Sequence, residues 1–420
     1  MRILVVSNLY PPMHIGGYEM GCRTLVDALR ARGHDVRVLT SPSTRLADQP
    51  QPHVVRTLQM TAHPPAAMRA RRSVEPGATV LARASHPTNT ATMLQHIEEF
   101  EPHCVYLFNV FGIGGLALMD ALQVLDYPWA LHLMDRVPVE VSTDLNPDVL
   151  ALFGAHDGTL YDGASIISMS RRLLGEVEQL CGYSVAQGAV YVPGWSTASL
   201  ELPERDYAPA GRVRFVAAGR VHANKGTGLI LEAAALMRER AGIDFSLEIY
   251  GDGDLPWAVD LAHSLGLDDL VRFGGWRSQA ELQQIYRRSD SFLFPTWERE
   301  PFGFAPVEAA AEGCVPIITG GAGVTERMVD GVHCVLIDRT VESLADAMQR
   351  VCGGGVDLAA MGEAGMMLCR EDLHLDTCVS TVEEVLASTA HRRARPERLD
   401  WRTYALMALK HNLAQQLQES

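Results

Sequence analysis

The sequence predicts an α/β protein made of two doubly wound, parallel-sheet domains that face each other across a cleft. Three observations lead there. Strand-like stretches such as Ile3 to Asn8, Cys104 to Phe108 and Ser291 to Pro295 are continuously apolar, the pattern of strands covered on both faces. They alternate with helix patterns, for example about Glu19 to Arg32, which stops at Gly33, and Thr227 to Arg240. Finally, 420 residues exceed one ordinary core, and the strand–helix series restarts after a polar, Pro-containing segment from Val192-Pro193-Gly194 to Tyr207-Ala208-Pro209.

The first series reads as strands at Ile3 to Asn8, Val36 to Thr40, Cys104 to Phe108, Trp129 to Leu133 and Ser165 to Met169. A loop of Tyr10-Pro11-Pro12-Met13-His14-Ile15-Gly16-Gly17 follows the first strand. Arg56 to Pro87, rich in Ala, Arg and Pro, fits either a loop and helix beside an acceptor cleft or a surface insertion. The second series has strands at Val213 to Ala218, Phe245 to Tyr250, Val271 to Phe273, Ser291 to Pro295, Val315 to Thr319 and Cys334 to Ile337. The expected division is residues 1–192, a linker over 193–211, a second domain over 212–375, and helices over 376–420. In that tail Leu406, Leu409, Leu413 and Leu417 recur at helical spacing after the basic His391-Arg392-Arg393-Ala394-Arg395. Packing is the expected role of this stripe; membrane-surface attachment is disfavoured, and a homo-oligomer contact stays open.

Composition narrows the function. With 47% apolar and 21% charged residues the chain is a folded globular protein. A net charge of −15 argues against a nucleic-acid partner, whose phosphates require a concentrated basic surface. No apolar run reaches membrane-helix length, and Met1-Arg2 leads straight into a strand with no cleavage-type segment, so a cytoplasmic location is expected. The eight cysteines are scattered without a Cys-x-x-Cys pair, which suits reduced thiols. The first strand leads to Pro-Pro and Gly-Gly, not to the Gly-x-Gly-x-x-Gly of dinucleotide binders. Of 36 basic residues only Lys225 and Lys410 are lysine, as under a mutational bias toward arginine. A lysine that persists is a candidate for work that needs a compact ammonium. Lys410, on a tail helix read as exposed, is taken as a chance survivor; Lys225 is not.

Lys225 belongs to Gly219-Arg220-Val221-His222-Ala223-Asn224-Lys225-Gly226, which follows a buried strand and opens a helix. Backbone N–H groups and two cations converge there, which makes an anion site. Downstream, Glu300-Pro301-Phe302-Gly303-Phe304-Ala305-Pro306-Val307-Glu308 carries two carboxylates across a strand-to-helix turn. Carboxylates accept hydrogen bonds from hydroxyl pairs of sugars and ribose, and Gly303 lets backbone amides approach a ligand. Each segment alone also fits an ordinary βα loop or a helix-capping glutamate.

Together and in this order, these segments resemble glycosyltransferase family 4. Further matches are Ser7 to Gly17 with its Gly-Gly pair, Arg32 to Thr40, Gly251-Asp252-Gly253, Ala309 to Ile318, and Ala322-Gly323-Val324-Thr325-Glu326; together they run from about residue 1 to 385. The resemblance implies a GT-B fold of two Rossmann-like domains, with the helices over 376–420 crossing back to the first domain, and a retaining transfer from a nucleoside-diphosphate sugar, UDP first, to an acceptor hydroxyl. It implies front-face attack assisted by the leaving phosphate, with no metal or other cofactor required. Carried over, it gives Arg220 and Lys225 the diphosphate, beside Gly219. Glu300 takes the sugar hydroxyls, helped by the amides of Phe302, Gly303, Phe304 and Ala305, and Glu308 takes the ribose. Gly16 and Gly17 present an amide to the distal phosphate. Trp276 and Arg277 contact the base, although core packing is an equal reading of Trp276. Where the family often has a histidine before Asp135, this chain has Met134. His132, on the same strand face, is the candidate substitute against the reading of a core histidine. His222 and His14 are weaker candidates. Two alternatives stay open: a nucleotide-sugar epimerase of the same fold, and a non-catalytic nucleotide-sugar-binding protein.

Overall fold

The computed structural model describes residues 1–44, 50–61, 76–205, 207, 212–240, 244–392 and 399–419. The chain divides into two compact units, Met1–Val192 with Val379–Ser420, and Pro193–Cys378.

The first unit is a seven-stranded sheet. Its strands are β1 (Arg2–Val6), β2 (Asp35–Thr40), β3 (Val54–Arg56), β4 (Cys104–Leu107), β5 (Trp129–Leu133), β6 (Ser165–Ser168) and β7 (Ala189–Tyr191), ordered β3-β2-β1-β4-β5-β6-β7. Every pairing is parallel. The last four residues of β1 and all of β4, β5 and β6 are buried, so helices cover both faces. The second unit carries β8 (Val213–Ala218), β9 (Phe245–Tyr250), β10 (Val271–Gly275), β11 (Ser291–Phe294), β12 (Val315–Thr319) and β13 (Val335–Ile337), ordered β10-β9-β8-β11-β12-β13 and again all parallel. In each sheet the strand order reverses beside the first strand, between β1 and β4 and between β8 and β11.

Every strand read from the sequence is present. Missing from that reading were β3 and β7, both three-residue edge strands whose partial exposure removes the continuous apolar signal. Part of Arg56 to Pro87 lies outside the described residues; the rest holds the end of β3 and a helix at Pro76–Ala84. Arg393 to Arg395 also lie outside them.

The segment read as a linker packs on the second unit as far as it is described. The Arg205 guanidinium donates to the carbonyls of Tyr286, Arg287 and Glu312 at 2.8 to 2.9 Å, and also to that of Ser289. It thereby satisfies the open C-terminal ends of the helices Gln279–Arg288 and Phe304–Ala311, a favourable place for a cation.

Two tail expectations are corrected. The helix Trp401–Glu419 packs through Met407 and Ala414, while Leu406, Leu409 and Leu413 face outward. Lys410 is not an exposed survivor: its Nζ binds both Asp120 carboxylate oxygens at 2.7 and 2.9 Å, and both side chains are largely buried. Burial pushes the Asp120 carboxyl up against the opposing pull of Lys410. Removing one partner of a buried pair strands the other charge. Lys410→Ala is therefore expected to lose about 3 kcal/mol of stability in urea unfolding, and Lys410→Met with Asp120→Leu to recover most of it. A silent Lys410→Ala contradicts the anchoring role.

Candidate active site

Ligands of doubly wound sheets bind beyond the carboxyl ends of the strands, where the strand order reverses. In the second unit that point lies between β8 and β11. The loops that leave these two strands are the segments 219–226 and 295–303, the pair singled out in the sequence.

The first loop is shaped by its glycines. Gly219 N–H donates to the Tyr250 carbonyl at 3.0 Å and Val221 N–H to that of Asp252 at 2.7 Å, which docks the loop onto Gly251-Asp252-Gly253 after β9. Gly251 and Gly253 have φ of 138° and 123°, and a Cβ on either would strike the carbonyl of Gly219 or Val221. The glycines are there for backbone-to-backbone approach. A single 3₁₀ turn, Ala223–Lys225, then intervenes before the helix Thr227–Glu239, and the His222 ring accepts from Asn224 N–H at 3.2 Å to start it. Gly226, at φ 82°, lies so close to the Pro295 carbonyl that no Cβ fits. Trp297 N–H donates to the Asn224 carbonyl at 3.0 Å, joining the two loops.

That junction brings Lys225 to Glu300. Lys225 Nζ donates to Glu300 Oε2, with the lysine side chain 35% and the glutamate side chain 11% exposed. Thr296 Oγ donates to the same oxygen at 2.9 Å. Behind this loop, Gly323 N–H donates to the Glu300 carbonyl at 3.1 Å and Val324 N–H to that of Phe302 at 2.8 Å, which explains the Ala322 to Glu326 motif. Gly303, at φ 102° with the Phe294 ring against it, starts the helix Phe304–Ala311. Pro306 falls in the first turn of that helix, where a missing N–H costs nothing. Glu308 lies on this helix, half-buried. Burial pushes its carboxyl up, and a hydrogen bond from Gln279 opposes the shift.

Arg220 is exposed at the rim of the loop. Trp276, 67% exposed after Gly275, is not a core residue, while the Arg277 guanidinium sits 5.7 Å from the Tyr250 ring centre. His222 is exposed and caps its own turn.

In the first unit Gly16 and Gly17 head the helix Gly17–Ala31. Glu19, which sequence reading passed over, accepts from Ile15 N–H at 3.1 Å and Gly16 N–H at 3.0 Å and so fixes the loop. Its signal was the capping spacing, a glutamate three residues after the N-cap Gly16. Thr296 was also missed, because a lone hydroxyl has no spacing to betray it. His14 is exposed in the same loop.

His132 is corrected. Its ring is fully buried on β5 against Tyr106 and Phe108, with Nδ1 at 2.7 Å from the Tyr106 hydroxyl, so it offers no surface to a sugar. A strand buried on both faces has no solvent side for such a residue. Burial drives the imidazole down to about 3, so it stays neutral in the fold. In the unfolded chain it takes up a proton below about pH 6.5, so its effect on stability is absent above that pH and grows unfavourable as pH falls toward about 3. From pH 7 to pH 5 this group alone should remove about 2 kcal/mol. Urea unfolding of wild type and His132→Gln at both pH values tests this; equal pH slopes contradict it.

Comparison with known proteins agrees with this geometry. Residues 212–353 match the family model "Glycosyl transferases group 1". Glycogen synthase of Mycobacterium tuberculosis is 26% identical, over 94% of this chain and 97% of that protein. D-inositol 3-phosphate glycosyltransferase of Arthrobacter is 29% identical, over 38% of this chain and 39% of that one. Among solved structures, sucrose-phosphate synthase of Thermosynechococcus elongatus superposes with a TM-score of 0.70 at 18% identity, covering 92% of this chain and 98% of that one. Anabaena HepE in complex with UDP gives 0.69 at 17% identity, covering 92% and 100%. These two likenesses concern the fold. With two parallel sheets and the motif loops at a strand-order reversal, the chain has a GT-B fold, and its residues 212–353 carry the domain of the group 1 glycosyltransferases, enzymes that transfer a sugar from a nucleotide-sugar.

Proposed function

We propose that the chain moves a sugar from a UDP-sugar to an acceptor hydroxyl with retention at the anomeric carbon. The observation that carries this reading is the Lys225–Glu300 pair, held where two glycine-shaped loops meet at the strand-order reversal of the second unit. Lys225 and Arg220 take the diphosphate and stabilise the charge that develops on it as the sugar departs. Glu300 accepts from the sugar hydroxyls, and the amides at the start of the helix Phe304–Ala311 assist. Glu308 accepts from the ribose, and Trp276, exposed beside Arg277, covers the base. Gly16 and Gly17, in a loop pinned by Glu19, offer backbone amides to a phosphate.

Such a site works by positioning and electrostatic stabilisation. Attack occurs on the face the diphosphate leaves, and the leaving phosphate oxygen takes the acceptor proton, so no protein nucleophile is needed. Support for UDP comes from fold relatives: HepE of Anabaena was solved with UDP and with UDP-glucose.

A thermal-shift panel of UDP, GDP and ADP is expected to single out UDP, because a ligand that binds the folded state raises the melting point. Dominant stabilisation by another nucleotide contradicts the base assignment. Lys225→Ala and Glu300→Ala are each expected to lose at least about two decades of donor turnover. Near wild-type rates contradict the site. Proton NMR of the product decides the stereochemistry: the donor's anomeric configuration is expected, and inversion overturns the front-face reading. Epimerised donor in the absence of acceptor overturns the transferase reaction itself.

A further inference from the structure

Glu300 is held by more than its lysine. The Thr296 hydroxyl, fully buried just beyond β11, donates to Glu300 Oε2 at 2.9 Å, the oxygen that Lys225 also reaches. Among the described residues no donor reaches Oε1, so the carboxylate has one oxygen fastened and one available. The two fasteners differ in kind. Lys225 is an ammonium on a flexible, partly exposed stem, and an arriving diphosphate competes for it. Thr296 is β-branched, stiff at χ1 and sealed in the protein, out of reach of a ligand.

We propose that Thr296 is the positioning residue of the donor-sugar site. It keeps the Glu300 carboxylate aimed with Oε1 toward a sugar hydroxyl while Lys225 turns its charge to the diphosphate. The proposal rests on the role given to Glu300 above. A hydroxyl at this position thus affects recognition of the sugar and leaves that of the nucleotide unchanged.

The test compares Thr296→Val, which keeps the shape and deletes the donor, with Thr296→Ser, which keeps the donor. Each is assayed for hydrolysis of whichever of UDP-, GDP- and ADP-glucose the wild type turns over fastest, and for binding of the matching free diphosphate by calorimetry. Loss of one hydrogen bond to a charged group is expected to lower kcat/KM of Thr296→Val about 10- to 100-fold. Binding of the free diphosphate should stay within about twofold, and Thr296→Ser should return kcat/KM to within about threefold of wild type. Should Thr296→Val not fold, Thr296→Ala is read in its place against the same outcomes. Unchanged turnover, a parallel loss of diphosphate binding, or failure of serine to rescue overturns the proposal. Glu300→Gln, run alongside, separates the two readings. If it is inactive while Thr296→Val is silent, only the positioning role falls. If Glu300→Gln is fully active, or the wild type hydrolyses none of the three donors, the proposed site falls with it.

Discussion

Lys225 and Glu300 lie 75 residues apart in sequence, and their ion pair is the contact around which the second unit's candidate site is arranged. Neither loop could hold its charge there alone. The lysine is placed by a 3₁₀ turn between two glycines, one docked on the loop after β9 and the other pressed on the Pro295 carbonyl. The glutamate is placed by Thr296 on one side and by the Gly323 and Val324 amides on the other. A partly buried ion pair adds little net stability, because desolvation offsets much of the attraction. So much backbone arranged around so small a thermodynamic gain is understandable if the pair's purpose is to meet a ligand.

A topological constraint decides where that meeting occurs. In a parallel doubly wound sheet the loops leaving two neighbouring strands part to opposite faces where the strand order reverses, and the crevice between them takes the ligand. Both sheets reverse beside their first strand, and the loop leaving β1 carries Gly16-Gly17 just as the loop leaving β8 carries Gly219 and Gly226. In both places glycine serves the backbone: it permits a tight approach or opens a helix whose amides face outward. The two persistent lysines fit the same economy. Each ends on a carboxylate that is more buried than itself, Lys225 on Glu300 and Lys410 on Asp120, where a slender ammonium can reach.

The sequence made most of the fold legible, since fully buried parallel strands such as β5 and β12 leave unbroken apolar runs. It failed where burial is partial: β3 and β7 are short edges, and Leu406, Leu409 and Leu413 of the last helix's stripe face outward while Met407, Ala414 and Leu417 pack on the core. Of the candidate site, the sequence singles out residues with strong local patterns, the glycines and the paired glutamates. Thr296 and Glu19 act through single hydrogen-bonding atoms whose partners only folding supplies. His132 shows the converse error, because strand periodicity cannot tell which face is open when neither is.

The most direct measurement of the central claim is a double-mutant cycle on Lys225→Met and Glu300→Gln, read in donor hydrolysis. If the two side chains act as one unit, the double variant loses much less than the summed losses of the singles, with a coupling of at least about 1 kcal/mol. Losses that add to within about 0.5 kcal/mol would mean that the pair is a neighbourly contact and not the organising interaction of the site.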